Sequence, residues 1–153
     1  MNAFKGTGVA LITPFHDDHS IDFDSLKRLI DHVVSGGVDY LVVLGTTGES
    51  ATLTSAEKKQ VLKACLEFND SRVPVMLGIG GNNTQAVLDE IESTDFYGVA
   101  AVLSVSPYYN KPSQAGIIAH YTAVADASPA PVVLYNIPGR TMSNMTAATT
   151  LTL

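Results

Sequence analysis

Three short segments carry the residue types from which a small-molecule site is built. Gly45-Thr46-Thr47-Gly48-Glu49-Ser50 sets two adjacent hydroxyls between glycines. Such a loop offers hydroxyls and backbone N–H groups to a small anion, a carboxylate or a phosphate. It lacks the lysine and spacing of a P-loop, and a plain strand-to-helix turn has the same composition, so both readings stand. Ser106-Pro107-Tyr108-Tyr109-Asn110-Lys111-Pro112-Ser113 places two tyrosines between prolines. Stiff, large and partly polar, they fit packing or a subunit interface on one reading and a phenol presented to a site on the other. Tyr135-Asn136-Ile137-Pro138-Gly139-Arg140-Thr141 ends an apolar run with a tyrosine and follows it, across a Pro-Gly turn, with one of only three arginines. A guanidinium there suits bidentate binding of a substrate carboxylate, or is an ordinary surface arginine.

Other candidates are weaker. His16, Asp17, Asp18 and His19 are consecutive and cannot easily converge on one ion, so a solvated turn is expected and no metal is assigned. His32 and His120 fall in helical patterns without a helical partner that would form a known site. Cys65, the only cysteine, lies between Ala64 and Leu66 and reads as a small buried apolar residue. Gly78-Ile79-Gly80-Gly81-Asn82-Asn83 starts like a dinucleotide motif but lacks its last glycine and follows the third apolar run, not the first.

The elements that must hold these loops follow from patterning. Apolar runs recur at Val9–Ile12, Tyr40–Leu44, Val75–Ile79, Val99–Val105 and Val132–Tyr135. Each is continuous rather than alternating, the habit of parallel strands covered on both faces. Leu26, Leu29, Ile30, Val33 and Val34 have helical spacing, stopped by Gly36-Gly37. Thr54-Ser55-Ala56-Glu57 is a capping box for a helix through Leu62 and Leu66. Asn83 or Thr84 can cap a helix carrying Val87, Leu88 and Ile91, and Ser113 one carrying Ile117, His120, Tyr121 and Val124. A further helix begins near Thr146. Strand–helix alternation of this period makes right-handed βαβ units. A doubly wound sheet and a TIM barrel both fit; polar or glycine-rich loops after nearly every strand, and no nucleotide fingerprint after the first, favour the barrel.

Composition limits the partners. Of 153 residues 46% are hydrophobic and 16% charged, which excludes a disordered chain. Nine Lys and Arg, scattered in a chain of net charge −6, give no basic patch for nucleic acid. No apolar stretch reaches the roughly 18 residues of a membrane span. Residues 1–8 show no apolar run of a signal peptide, so a cytoplasmic protein is expected.

Taken in order, the three loops, with the opening Gly8-Val9-Ala10-Leu11-Ile12-Thr13-Pro14-Phe15, resemble the dihydrodipicolinate synthase family from about residue 6 to the last residue. The resemblance implies an α/β fold, the TIM (β/α)8 barrel, of which about the first five βα units are present in a single domain, residues 1–153. It implies the condensation of pyruvate with aspartate 4-semialdehyde in lysine biosynthesis, with no cofactor and in a homo-oligomer, dimer or tetramer. Pyruvate would form a Schiff base with a lysine on the sixth strand. Tyr135 resembles the general acid/base, Thr46 and Tyr109 the hydroxyls that relay protons with it (the tyrosine reaching in from a neighbouring subunit), Thr47 the binder of the pyruvate carboxylate, and Arg140 the holder of the second carboxylate. N-acetylneuraminate lyase or another pyruvate-dependent aldolase is the near alternative, since those share the first loop and the tyrosine. A half-barrel fragment acting only as an assembly piece is the alternative of another class.

Two departures matter. None of Lys5, Lys27, Lys58, Lys59, Lys63 and Lys111 lies on a predicted strand end, so these residues alone are expected to be inactive. Ser50, Ala51, Asn82 and Tyr108 match the family's lysine-inhibition site, but Ser55 and Lys58 stand where sensitive members have imidazoles and Ala86 where they have a carboxylate. Weak or absent inhibition by lysine is expected.

Overall fold

The structure, a computed structural model, describes residues 4–153. Five parallel strands follow in the sheet order β1-β2-β3-β4-β5: β1 Gly8–Ala10, β2 Tyr40–Val43, β3 Val75–Gly78, β4 Val99–Val105 and β5 Val132–Tyr135. Between them lie α1 Phe23–Ser35, α2 Ser55–Asn69, α3 Thr84–Glu92 and α4 Gln114–Ala127; a one-turn α5, Pro138–Thr141, and α6, Ala147–Thr152, follow β5. The alternation is α/β, and consecutive strands lie side by side as in the first five units of a (β/α)8 barrel. No helix among the described residues is long and apolar enough to cross a membrane.

The chain forms two compact units. The first runs to Gly78 and includes Tyr97–Ala100. In it Gly8 pairs with Tyr40 and Leu41 with Val75, so β1, β2 and β3 are in parallel register. Asp22 caps α1, accepting a hydrogen bond from the Ser25 N–H at 2.8 Å. The helix buries Leu26 and Ile30 completely. Gly36 closes it and Gly37, at φ 87°, turns the chain toward β2. The expected capping box of α2 is present: Thr54 Oγ1 accepts from the Glu57 N–H at 3.2 Å and the Thr54 N–H donates to Glu57 Oε2 at 2.7 Å. Cys65 is fully buried, and burial pushes its thiol up to about 12. Arg72 joins the end of α2 to α1 by donating to Asp31 Oδ1 at 2.8 Å, while Lys27 donates to the other oxygen.

The second unit comprises Ile79–Phe96 and Ala101–Leu153. Its core is Ile117, Tyr121 and Met145, with Val132 and Leu134 of β5 packed against them. Successive strand residues point to opposite faces, so Val133 and Tyr135 lie on the side of β5 away from α4. Asn83 caps α3 and Ser113 caps α4 through the N–H groups of Ala86 and Gly116. The two helices are tied by Thr84 Oγ1 and His120 Nδ1, 2.9 Å apart. Burial lowers the His120 pKa.

The strands predicted at Val99–Val105 and Val132–Tyr135 have those limits, whereas the first is shorter than the predicted Val9–Ile12. Leu11 still donates to the Val42 carbonyl at 2.9 Å, but Ile12 is half exposed and Thr13 turns inward to Gly48. The expected Pro-Gly turn bearing Arg140 is the helical turn α5, entered at Pro138, where a missing N–H costs nothing.

Candidate active site

Thr46 and Thr47 open a 3-10 turn, Thr46–Gly48, that follows β2, and both are exposed. Gly48 and Glu49 close the turn by donating to the carbonyls of Gly45 and Thr46. The N–H groups of Thr46 and Thr47, as the first of the turn, have no partner within it. Two contacts set the position of this turn. Thr13 Oγ1 donates to the Gly48 carbonyl at 2.7 Å in a buried hydrogen bond. Leu44 adopts the left-handed region at φ 57° and directs its carbonyl against the end of β3, where a Cβ on Gly78 would lie 2.4 Å from that oxygen. A non-glycine residue in that region costs about 1–3 kcal/mol and persists where the surroundings enforce it. Glycine at 78 is required by this close approach, not by a nucleotide. A second 3-10 turn, Ser50–Thr52, holds Ser50 and Ala51 before α2. Sequence patterning does not separate these turns from an irregular loop, because their hydrogen bonds are local to the backbone.

In the second unit the chain after β4 and the chain after β5 run together. Ser106 N donates to the Tyr135 carbonyl at 3.0 Å, and Tyr109 N to the Thr141 carbonyl at 3.3 Å. Tyr109 is held at φ 71° and is 86% exposed as a residue, and Tyr108 is less exposed. Asn82 lies in the same neighbourhood, its carbonyl accepting from Asn110 Nδ2 at 3.0 Å. Gly80 sits where a Cβ would meet the Val105 nitrogen at 2.7 Å, so this glycine too answers a close backbone approach. Tyr135 is the last residue of β5, half-buried, and Arg140 is exposed on α5. The unit therefore brings Tyr135, Arg140, Tyr108, Tyr109 and Asn82 into adjoining segments; Thr46, Thr47, Ser50 and Ala51 belong to the first unit.

A residue that patterning read only as core supports the tyrosine's strand. Tyr121 of α4 is 1% exposed, and its hydroxyl donates to the Ser104 carbonyl at 2.8 Å. Burial pushes its pKa up, against a backbone hydrogen bond from Tyr135 that lowers it. One phenol thus bears on β4 and on the last residue of β5. A buried tyrosine at helical spacing carries no sign in sequence of where its hydroxyl ends. Around His16 the chain makes a tight turn: His19 is at φ 68°, Asp18 Oδ1 accepts from Ser20, and His16 Nδ1 lies 3.9 Å from Asp22. No group of three or more His, Cys, Asp or Glu among the described residues could hold a metal ion.

Comparison with known proteins gives this arrangement a family. A profile of the dihydrodipicolinate synthetase family matches residues 3–153. The chain is 58% identical over 153 residues to 4-hydroxy-tetrahydrodipicolinate synthase of Flavobacterium psychrophilum, covering 100% of this chain and 52% of that one. Dihydrodipicolinate synthase from Aquifex aeolicus superposes with a TM-score of 0.92 at 39% identity, over 98% of this chain and 51% of that one. The chloride-inhibited dihydrodipicolinate synthase from Acinetobacter baumannii, complexed with pyruvate, superposes with a TM-score of 0.93 at 38% identity, over 97% and 51%. The chain spans about half the length of the curated relatives it matches.

Proposed function

This chain belongs to the dihydrodipicolinate synthetase family, and on that premise we propose that the protein it forms part of condenses pyruvate with aspartate 4-semialdehyde through a Schiff base, in lysine biosynthesis. The observation that carries the reading is the run from Tyr135 to Arg140: a phenol at the C-terminal end of β5, then a guanidinium on the next helical turn. The first can move a proton and the second can bind a carboxylate, and both follow a strand end where barrel enzymes build their sites. In the proposed mechanism pyruvate condenses with a neutral lysine amine, whose pKa must fall through burial for it to attack. Tyr135 passes protons to and from the reacting centre. A phenol of ordinary pKa, about 10, transfers protons poorly alone, so Thr46 and Tyr109 complete a hydroxyl relay. Thr47 binds the pyruvate carboxylate and Arg140 that of the second substrate, which spends binding energy on orientation.

The Schiff-base lysine belongs to a strand beyond these five. Lys27, Lys58, Lys59 and Lys63 lie in helices, and Lys5 and Lys111 in loops. In this reading residues 1–153 alone hold no lysine placed to form the Schiff base. The exposure of Tyr109 supports a homo-oligomer, dimer or tetramer, in which it reaches a neighbouring subunit. Ser50, Ala51, Asn82 and Tyr108 match the family's lysine-inhibition positions, and weak or absent inhibition by lysine is expected. The reaction requires no cofactor, and we assign it to the cytoplasm.

A coupled assay on the full-length protein tests the proposal. Turnover of pyruvate with aspartate 4-semialdehyde, and none with N-acetylneuraminate, is expected. The reverse preference makes the protein a sugar-acid lyase. An intact mass of 16.2 kDa, and not roughly twice that, makes it a fragment.

A further inference from the structure

The segment joining β5 to α6 is a folded loop with a single side chain across its base. Within it, α5 is internally tied: Arg140 N and Thr141 N donate to the Ile137 carbonyl at 2.9 and 3.0 Å, and Met142 N to the Pro138 carbonyl at 2.9 Å. Thr141 Oγ1 lies 2.8 Å from the Ser143 carbonyl and 3.1 Å from that of Ile137, with one proton to donate to either. These bonds make the turn rigid but do not fix its direction relative to β5. Asn136, the residue after Tyr135, does that with both halves of its amide. Its Oδ1 accepts from the Met145 N–H at 3.1 Å, and its Nδ2 donates to Asn144 Oδ1 at 2.8 Å. The far end is anchored in turn. The Asn144 carbonyl accepts from Gln114 Nε2 at 2.8 Å, Gln114 Oε1 accepts from the Thr146 N–H at 3.1 Å, and Met145 is buried against Ile117 and Tyr121.

The orientation of the Asn136 amide is dictated. The Met145 N–H can only donate, so it must face the amide oxygen, and the amide nitrogen must then face an acceptor. We propose that Asn136 is a positioning residue: clamped to Asn144 and Met145, it fixes α5, and with it Arg140, relative to Tyr135. Asn136 touches no reacting atom in this account. Its effect is on the distance and angle between the proton-transfer phenol and the carboxylate-binding guanidinium. A supporting shell left loose by about 1 Å is enough to cost a site much of its rate. The kinetic consequence rests on the function proposed above; the clamp itself does not.

The test uses the full-length protein carrying this sequence, with Asn136→Ala, Asn144→Ala and Asn144→Asp. The aspartate keeps an acceptor for Asn136 Nδ2, so it retains the clamp, whereas Asn136→Ala removes both bonds and Asn144→Ala one. Hydrogen exchange followed by mass spectrometry is expected to show faster exchange over residues 137–146 in the alanine variants only. In steady state, Asn136→Ala is expected to raise KM for aspartate 4-semialdehyde about ten-fold or more, leave KM for pyruvate within about two-fold, and Asn144→Asp to behave as wild type. Unchanged exchange in Asn136→Ala overturns the clamp. Faster exchange with both KM values unmoved, or moved equally, overturns its positioning of Arg140. A wild-type protein without condensation activity sinks the proposed function instead, and the exchange result then decides the clamp alone.

Discussion

Replacing Tyr121 by phenylalanine isolates one hydrogen-bonding group beneath the proposed acid/base. The ring is 1% exposed and packs with Ile117 and Met145, so the variant keeps the apolar burial and loses only the hydroxyl. That hydroxyl donates to the Ser104 carbonyl at 2.8 Å and is approached by the Tyr135 backbone. Its removal takes away a net hydrogen bond and leaves buried backbone groups less well satisfied, about 1–3 kcal/mol together. With about 2 kcal/mol, the population that opens β5 from α4 rises about thirty-fold. Hydrogen exchange of the full-length protein reads this directly. Amides over residues 102–106 and 132–137 are expected to exchange about thirty-fold faster, while those of α1, in the other unit, change little. Unchanged protection of β5, or equal loss in α1, refutes the argument that this phenol supports the strand bearing Tyr135.

Other consequences are as specific. Gly78→Ala places a Cβ 2.4 Å from the Leu44 carbonyl oxygen, so the backbone must shift; a loss of about 1–3 kcal/mol is expected in urea unfolding, with Thr46 and Thr47 displaced. Thr54→Ala breaks the capping box of α2 and is expected to cost about 1 kcal/mol in the same measurement, while Thr54→Ser restores most of it. The buried neutral forms of His120 and Cys65 bound the pH range of stability. The His120 pKa is lowered in the fold, so the unfolded chain binds the extra proton first and stability declines as pH falls below about 6.5 toward the depressed value. The Cys65 pKa is raised, so its contribution is intact below the ordinary value of 9.0 and is lost as pH climbs toward about 12. Stability–pH curves are expected to flatten on the acid side in His120→Gln and on the alkaline side in Cys65→Ala.

Much of the fold was legible because burial writes itself into residue order. Val99–Val105 and Val132–Tyr135 are continuous apolar runs and became β4 and β5 with those limits. Thr54 and Glu57, Asn83, and Ser113 announced their helices through side chains that satisfy the first N–H groups. Ile117, His120, Tyr121 and Val124 share a helical face and are all buried. What was not legible depends on contacts remote in sequence. Gly78 and Gly80 read as a flawed nucleotide motif, whereas each accommodates backbone, from Leu44 and from Val105. The left-handed Leu44, Tyr109 and Met142 carry no residue signature, since glycine or asparagine is the usual mark of that conformation. The turn α5 is too short for a periodic signal. Asn136 was visible only as a neighbour of Tyr135, because its two partners lie eight and nine residues along the chain.

Tyr135 and Arg140 are proposed to serve a covalent condensation of pyruvate whose lysine lies outside residues 1–153. Borohydride reduction of the full-length protein in the presence of pyruvate, followed by peptide mass mapping, tests it most directly. One reduced pyruvate adduct is expected, on a lysine that is none of Lys5, Lys27, Lys58, Lys59, Lys63 and Lys111. No adduct, or an adduct on one of those six, contradicts it.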